Sequence, residues 1–178
     1  AWTTTPWTLP SNTALTIGNK IVYAQIETIN QYTGDPITVI LASDLVSKYF
    51  NSEAEGVAIT EYYGKGHLPW KTTGEFTGAE LMDMQYEQLL PYTLPMDNPE
   101  NAFRIISGDF VTTEDGTGIV HTAPTFGADD ARVAKIAGIP PMLVEGENGQ
   151  AIPLVNLQGK FIDKMGDLAG KYVKNEYY

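Results

Sequence analysis

Runs of β-branched and aromatic residues, broken by turn formers roughly every ten positions, commit this chain to a strand-dominated fold. Residues 21–29 alternate apolar and polar, the signature of a strand with one buried face. Thr33, Gly34, Asp35 and Pro36 mark a turn, and residues 37–42 return as the second arm of a hairpin. Ser43 offers a hydroxyl to cap a short helix through Phe50. Residues 56–63 read as a further strand, closed by a Gly- and Pro-containing loop over 64–69. Thr77, Gly78, Ala79 and Glu80 match a capping box, which predicts a helical turn over 80–84. Residues 103–111 read as a strand that passes through the turn Asp115-Gly116 into another over 117–122. From about Asp129 the period lengthens to that of a helix, stopped by Gly138 and Pro140. A turn at Glu147, Asn148 and Gly149, a strand over 151–155 and a terminal helix over 163–178 complete the chain. With no internal repeat, low-complexity tract or linker, the expectation is one mixed domain over residues 1–178, mainly β with peripheral helices.

The bulk numbers narrow the function class. A chain of 178 residues that is 43% hydrophobic and 19% charged can bury a real core and is not disordered. No apolar run reaches the roughly 18 residues of a membrane span, and the N-terminus has no signal-peptide pattern. The first residue is not Met and the chain enters a Thr- and Trp-rich segment at once, as expected of a piece excised from a longer protein. The absence of cysteine removes disulfides and cysteine nucleophiles and is compatible with a cytosolic origin. A formal charge of −11, with only 11 Lys and Arg, argues against a broad grip on a phosphate backbone.

Two dense polar segments could carry chemistry. In the first, Thr3, Thr4 and Thr5 precede Pro6, Trp7 and Thr8. In a regular strand Thr3 and Thr5 share one face and Thr4 takes the other, either as a Thr-rich surface or as hydroxyls lining a cavity beside Trp2 and Trp7. Pro6 places the segment at an edge or bend. In the second, Gly116, Thr117 and Gly118 lead through Ile119 and Val120 to His121, Thr122, Ala123 and Pro124. A lone histidine serves either as a hydrogen-bonded structural residue or in a site, and a strand end before Ala-Pro suits the latter. Asp129 and Asp130 open the following helix, where one can act as N-cap while the other projects into a pocket. His67 and His121 lack any local zinc-ligand spacing, and neither a Ser-His-Asp order nor a phosphate loop is present. The residues themselves describe a polar pocket without an obvious covalent nucleophile.

Together the segments Trp2–Asn12 and Gly116–Asp130 resemble the two signature motifs of the editing domain of isoleucyl-tRNA synthetases. Between them, Tyr86-Glu87-Gln88-Leu89-Leu90-Pro91-Tyr92 is similar to a family Tyr-Glu-Pro-Leu-Phe-Pro-Tyr stretch, departing at Gln88 and Leu90. Valyl and leucyl editing domains carry Thr-Thr-Arg-Pro where this chain has Thr4, Thr5 and Pro6. The two synthetase signatures for amino-acid activation are absent, so this piece cannot activate amino acids. The resemblance implies a β-barrel-like editing domain that hydrolyses valyl-tRNA(Ile), with valyl-adenylate as a second candidate substrate. Isoleucyl enzymes are themselves the standard example of why such a site exists, because one missing methylene changes binding by only about 1–3 kcal/mol.

Carried over, Asp130 binds the substrate ammonium and His121 stands at the side-chain end and excludes isoleucine. Thr4, Thr5 and Thr8 hydrogen-bond substrate or water, and Trp7 shapes the wall. Thr4, Thr5 and Asp130 form the catalytic set. No cofactor or metal is implied. The expected partners are the 3′ end of tRNA(Ile) carrying valine and the rest of the parent synthetase, in a cytoplasmic monomer with no membrane association. Two alternatives stand beside this: a binding module that needs its parent, and a free-standing trans-editing hydrolase.

Overall fold

The computed structural model describes residues 1–174. In chain order the elements are β1 (Ala14–Ile17), β2 (Val22–Ile29), β3 (Pro36–Ala42), α1 (Val46–Tyr49), β4 (Lys71–Thr77) and α2 (Gly78–Leu81). They are followed by β5 (Arg104–Ser107), β6 (Ile119–Thr122), α3 (Ala128–Ala137), β7 (Leu143–Glu145) and β8 (Ala151–Pro153). The strands form a sheet of order β3-β2-β4, a sheet of order β5-β1-β6 and the ribbon β7-β8. Eight strands with a few short helices bear out the expected mainly β fold with peripheral helices, and among the described residues no closed barrel is seen. Small barrels take about eight strands, whereas each sheet here stops at three or fewer.

The described chain separates into two compact units, each discontinuous in sequence. The first holds residues 1–2, 17–82 and 108–120. Its β2 strand pairs antiparallel with β3 over Tyr23↔Ala42 to Ile29↔Pro36, the hairpin that alternation predicts. On its other edge β2 takes β4, with a register shift at Gln25/Ile26 that Thr73 closes by donating its hydroxyl to the Gln25 carbonyl. Tyr23 is fully buried; its hydroxyl donates to the Gly118 carbonyl at 2.6 Å and accepts the Gly18 N–H at 2.9 Å. Phe50 and Trp70 pack with ring centroids 5.5 Å apart.

Several local expectations change here. The capping box is present at Thr77 and Glu80, but the helical turn spans Gly78–Leu81. Residues 56–63 form no strand: Gly56 has φ +74, and Glu61 and Tyr62 donate locally to Ala58 and Ile59 in a 3-10 turn. Ser43 caps nothing; Ala42 holds the N-cap position of the 3-10 turn Ser43–Leu45, and the Ser43 hydroxyl is buried without a partner. β5 and β6 are not hairpin neighbours, because β1 lies between them. The Asp115-Gly116 turn is instead pinned to α1, where Lys48 pairs with Asp115 and the Tyr49 hydroxyl donates to the Gly116 carbonyl at 2.7 Å.

Among the described residues the second unit holds residues 3–16, 83–107 and 121–174. Its core includes Met142, Val144, Leu154, Phe161 and Met165, with Ile152 and Val155 packed against it. α3 ends as predicted, at Gly138 in the left-handed region (φ +69). Within residues 163–174, where a helix was expected, the chain forms the 3-10 turn Asp163–Leu168, broken at Gly166 (φ 55), and Tyr172 bridges to Lys160. Residues 175–178 of that expected helix lie outside the described residues.

Candidate functional site

Every residue singled out in the two motifs from Thr3 to Thr8 and from His121 to Asp130 falls in the second unit. The threonine run is not a strand. It is irregular, and Pro6 then starts the 3-10 helix Pro6–Ser11 from its first position, where the missing N–H costs nothing. The Thr5 carbonyl accepts both the Thr8 N–H at 3.0 Å and the Thr8 hydroxyl at 2.9 Å. Thr3 Oγ1 accepts the Thr5 N–H at 3.0 Å and lies 3.3 Å from the Thr5 hydroxyl. Thr3 and Thr5 therefore share a side, as alternation predicted, although the cause is a turn rather than a pleat. Thr4 is exposed, and Trp7 is half-buried with the Lys174 ammonium 4.7 Å from its ring centre.

The 3-10 helix ends at Asn12 and the chain enters β1, the middle strand of its sheet. Thr13 N–H donates to the Thr122 carbonyl at 3.1 Å, so Asn12 is carried beside His121. On the opposite edge Tyr86 N–H donates to the Phe103 carbonyl at 2.9 Å, ahead of β5. Three neighbouring chain segments thus deliver Tyr86, Asn12 and His121 to one place.

Their side chains form one continuous hydrogen-bond chain. The Tyr86 hydroxyl donates to Asn12 Oδ1. Asn12 Nδ2 donates to the Ala14 carbonyl at 2.8 Å and lies 2.8 Å from His121 Nδ1. His121 Nε2 lies 2.9 Å from the Thr8 hydroxyl. The single Thr8 proton already goes to Thr5, so Thr8 accepts and Nε2 carries the ring hydrogen. Nδ1 then accepts from Asn12. The imidazole is neutral in one defined tautomer, with both nitrogens committed. Burial pushes its pKa below the usual histidine value, and the negative charge of Asp130 opposes that shift. His121 is 9% exposed, Thr8 and Asn12 7% each, so the imidazole is a buried hub rather than a free base.

Asp130 lies in the first turn of α3 and is not its cap; Gly127 holds that position. The carboxylate folds back so that Oδ2 accepts the Ala123 N–H at 2.8 Å, two residues beyond His121. A Cβ at Gly127 would come within 3.1 Å of the Asp130 carboxyl carbon, so glycine leaves room for the fold-back. Asp129 points elsewhere, toward Arg132 at 3.7 Å. Neither aspartate is the N-cap that sequence allowed.

The structure therefore joins Thr5, Thr8 and His121 directly, sets Asp130 beside them through Ala123, and leaves Thr4 exposed and Trp7 at the Lys174 contact. Asn12 and Tyr86 were quoted within the motifs without a role; no local pattern links them to His121, because the pairing of three distant segments does. A hollow of about 460 Å³ near α3 is lined by Pro124, Ala131, Ala134 and Lys135 together with Asp97 and Asn98, and includes none of the predicted site residues. Among the described residues no group of three or more His, Cys, Asp or Glu is placed to hold a metal ion.

Comparison with known proteins decides the family. The isoleucine–tRNA ligase of Cytophaga hutchinsonii is 52% identical over 178 residues, which cover 99% of this chain and 16% of that protein. Its counterpart in Bacteroides fragilis is 50% identical over 194 residues, and that of Clostridium tetani 41% over 174. The chain belongs to the isoleucine–tRNA ligase family. It spans only 16–17% of the length of the first of these curated relatives. No protein-family model matches the chain. Among solved structures, the crystal structure of GlLeuRS-CP1 aligns with a TM-score of 0.51 at 17% identity, over 76% of this chain and 46% of that one. The likeness is one of fold.

Proposed function

We propose that residues 1–178 act as one editing domain that hydrolyses valyl-tRNA(Ile), with valyl-adenylate as a second substrate. The observation that carries this is the continuous hydrogen-bond chain Tyr86–Asn12–His121–Thr8–Thr5 beside the Asp130 carboxylate. Asp130 keeps one oxygen on Ala123 and offers the other to the α-ammonium of the aminoacyl group, a charge-assisted bond of about 1.5–3 kcal/mol. His121 cannot collect a proton at Nε2, which already carries one, nor readily at Nδ1, which faces the Asn12 amide. It serves as a fixed wall against the extra methylene of isoleucine. A water held by the Thr4 and Thr5 hydroxyls attacks the ester carbonyl; the carbonyl-to-ribose oxygen bond breaks, the ribose oxygen takes one of the water's protons, and the carboxylic acid formed releases the other to solvent. The ester is already activated, so positioning a water is enough.

The charge of −11 favours a second role for the chain by itself: a module that binds the amino acid but relies on its parent to bring the tRNA end. Deacylation of valyl-tRNA(Ile) by the chain and its Asp130→Asn variant tests the proposal. The wild type should release valine, and the variant, which keeps an oxygen for Ala123 but loses the charge, should be at least tenfold slower. Equal rates would remove Asp130 from the reaction. No release by wild type at high enzyme concentration would leave the binding module.

A further inference from the structure

We propose that Tyr86 is a positioning residue that sets the tautomer of His121 by anchoring the Asn12 amide, whose orientation the Ala14 carbonyl fixes, against the ring. This rests on the editing function proposed above for its consequence, but not for its geometry.

A side-chain amide presents oxygen on one side and nitrogen on the other, so its orientation decides what its neighbours must be. As observed, Asn12 Oδ1 receives the Tyr86 hydroxyl, while Nδ2 serves the Ala14 carbonyl and His121 Nδ1, with the Thr122 carbonyl at 3.4 Å. Rotated by half a turn, Oδ1 would confront those two carbonyls, and His121 Nδ1 would have to carry the proton. Nε2 would then face a Thr8 hydroxyl whose hydrogen is already given to Thr5. Each amide orientation thus requires one tautomer. The Tyr86 hydroxyl is the donor that meets Oδ1, and Asn12, at 7% exposure, has little water to replace it. The ring is held by an edge contact to Phe103, with centroids 6.0 Å apart at 79°.

Without the Tyr86 hydroxyl the Asn12 oxygen is buried and bare; the Ala14 carbonyl still opposes the flipped amide, so the side chain shifts as a whole toward another donor for Oδ1 and draws Nδ2 off His121 Nδ1. His121 then loses the donor that keeps Nδ1 unprotonated, and its ring loses its fixed aspect toward the substrate. Tyr86 touches no reacting atom; it acts through two intermediaries, from the far side of the middle strand.

The test is nitrogen NMR of the His121 ring in the chain and in Tyr86→Phe, with deacylation of valyl- and isoleucyl-tRNA(Ile) measured on the same samples. Wild type should show Nδ1 bare and Nε2 protonated, and a slowly exchanging Tyr86 hydroxyl proton with a cross-peak to the Asn12 amide. The variant should show both ring nitrogens moved toward averaged values, and a valine-over-isoleucine rate ratio lowered about tenfold, the scale of one hydrogen bond. Tyr92→Phe, which removes a hydroxyl bonded to Asp167 instead, should change neither. An unchanged nitrogen pattern in Tyr86→Phe overturns the proposal. So does a wild-type ring protonated at Nδ1, or a freely exchanging Tyr86 hydroxyl, and both of these hold even if the variant does not fold. If wild type deacylates neither tRNA, the editing function fails, while the nitrogen spectra still decide the role of Tyr86.

Discussion

His121 is the hub of the hydrogen-bond chain: each of its nitrogens has one partner, and each partner has a second obligation. Its pH behaviour follows. Burial lowers the folded-state pKa below the unfolded value of about 6.5, with Asp130 partly offsetting the effect. Between the two values the unfolded chain binds more protons, so stability rises with pH there. The contribution of His121 is complete above about pH 6.5 and is lost as pH falls through the folded-state pKa. Urea denaturation of wild type and His121→Ala from pH 8 to pH 5 should show a steeper acid decline in the wild type; parallel curves would contradict this. Asp130 accepts the Ala123 N–H and, on the proposed function, also holds the substrate ammonium. Asp130→Ala should lose deacylation and also about 1 kcal/mol of stability with the Ala123 acceptor. Asp130→Asn should lose only the former. Asp129→Ala, which removes an exposed pair with Arg132, should stay within about 0.5 kcal/mol of wild type. A larger loss at Asp129 than at Asp130 in thermal melts would reverse these assignments.

At the scale of elements, Gly118 shows how the second motif serves folding. Its φ is +70 and a Cβ there would lie 2.6 Å from the Ala42 Cβ, while its carbonyl receives the buried Tyr23 hydroxyl. Gly118→Ala should therefore destabilise by about 2 kcal/mol or more, read as a lower urea midpoint at unchanged slope. A neutral substitution would mean that Ala42 and the strand can move apart freely. What was legible beforehand divides along the same line. The β2–β3 hairpin, the Thr77–Glu80 capping box and the Gly138 stop were readable because each is written in consecutive residues. The insertion of β1 between β5 and β6 was not, since strand order is fixed by packing between distant segments. The threonine run misled for a related reason: β propensity favoured a strand, but Pro6 begins a helical turn and the Thr5 carbonyl closes on Thr8. The same long-range order hid Asn12 and Tyr86, whose meeting with His121 depends on which strands are neighbours.

For the whole molecule, charge and extent set the terms. A chain at −11 should bind tRNA weakly, and more weakly still as salt rises. A sub-micromolar dissociation constant at physiological salt, measured by filter binding, would show a basic groove that the sequence does not suggest. Among the described residues no helix is long and apolar enough to cross a membrane. The chain matches 16% of the Cytophaga enzyme, so tRNA recognition by this segment alone and in a full-length ligase are separate questions. The fold shared with GlLeuRS-CP1 at 17% identity indicates that the architecture outlasts the sequence, and the selectivity proposed above is assigned to side chains such as His121. One comparison addresses that selectivity: single-turnover deacylation rates of valyl-tRNA(Ile) and isoleucyl-tRNA(Ile), for wild type and His121→Ala. Wild type should cleave the valyl ester and spare the isoleucyl ester. His121→Ala should open the wall, raising isoleucine release at least tenfold while valine release changes little, consistent with a methylene worth about 1–3 kcal/mol. A large loss on valine with no gain on isoleucine would contradict the steric role and identify the imidazole as a participant in the proton transfers.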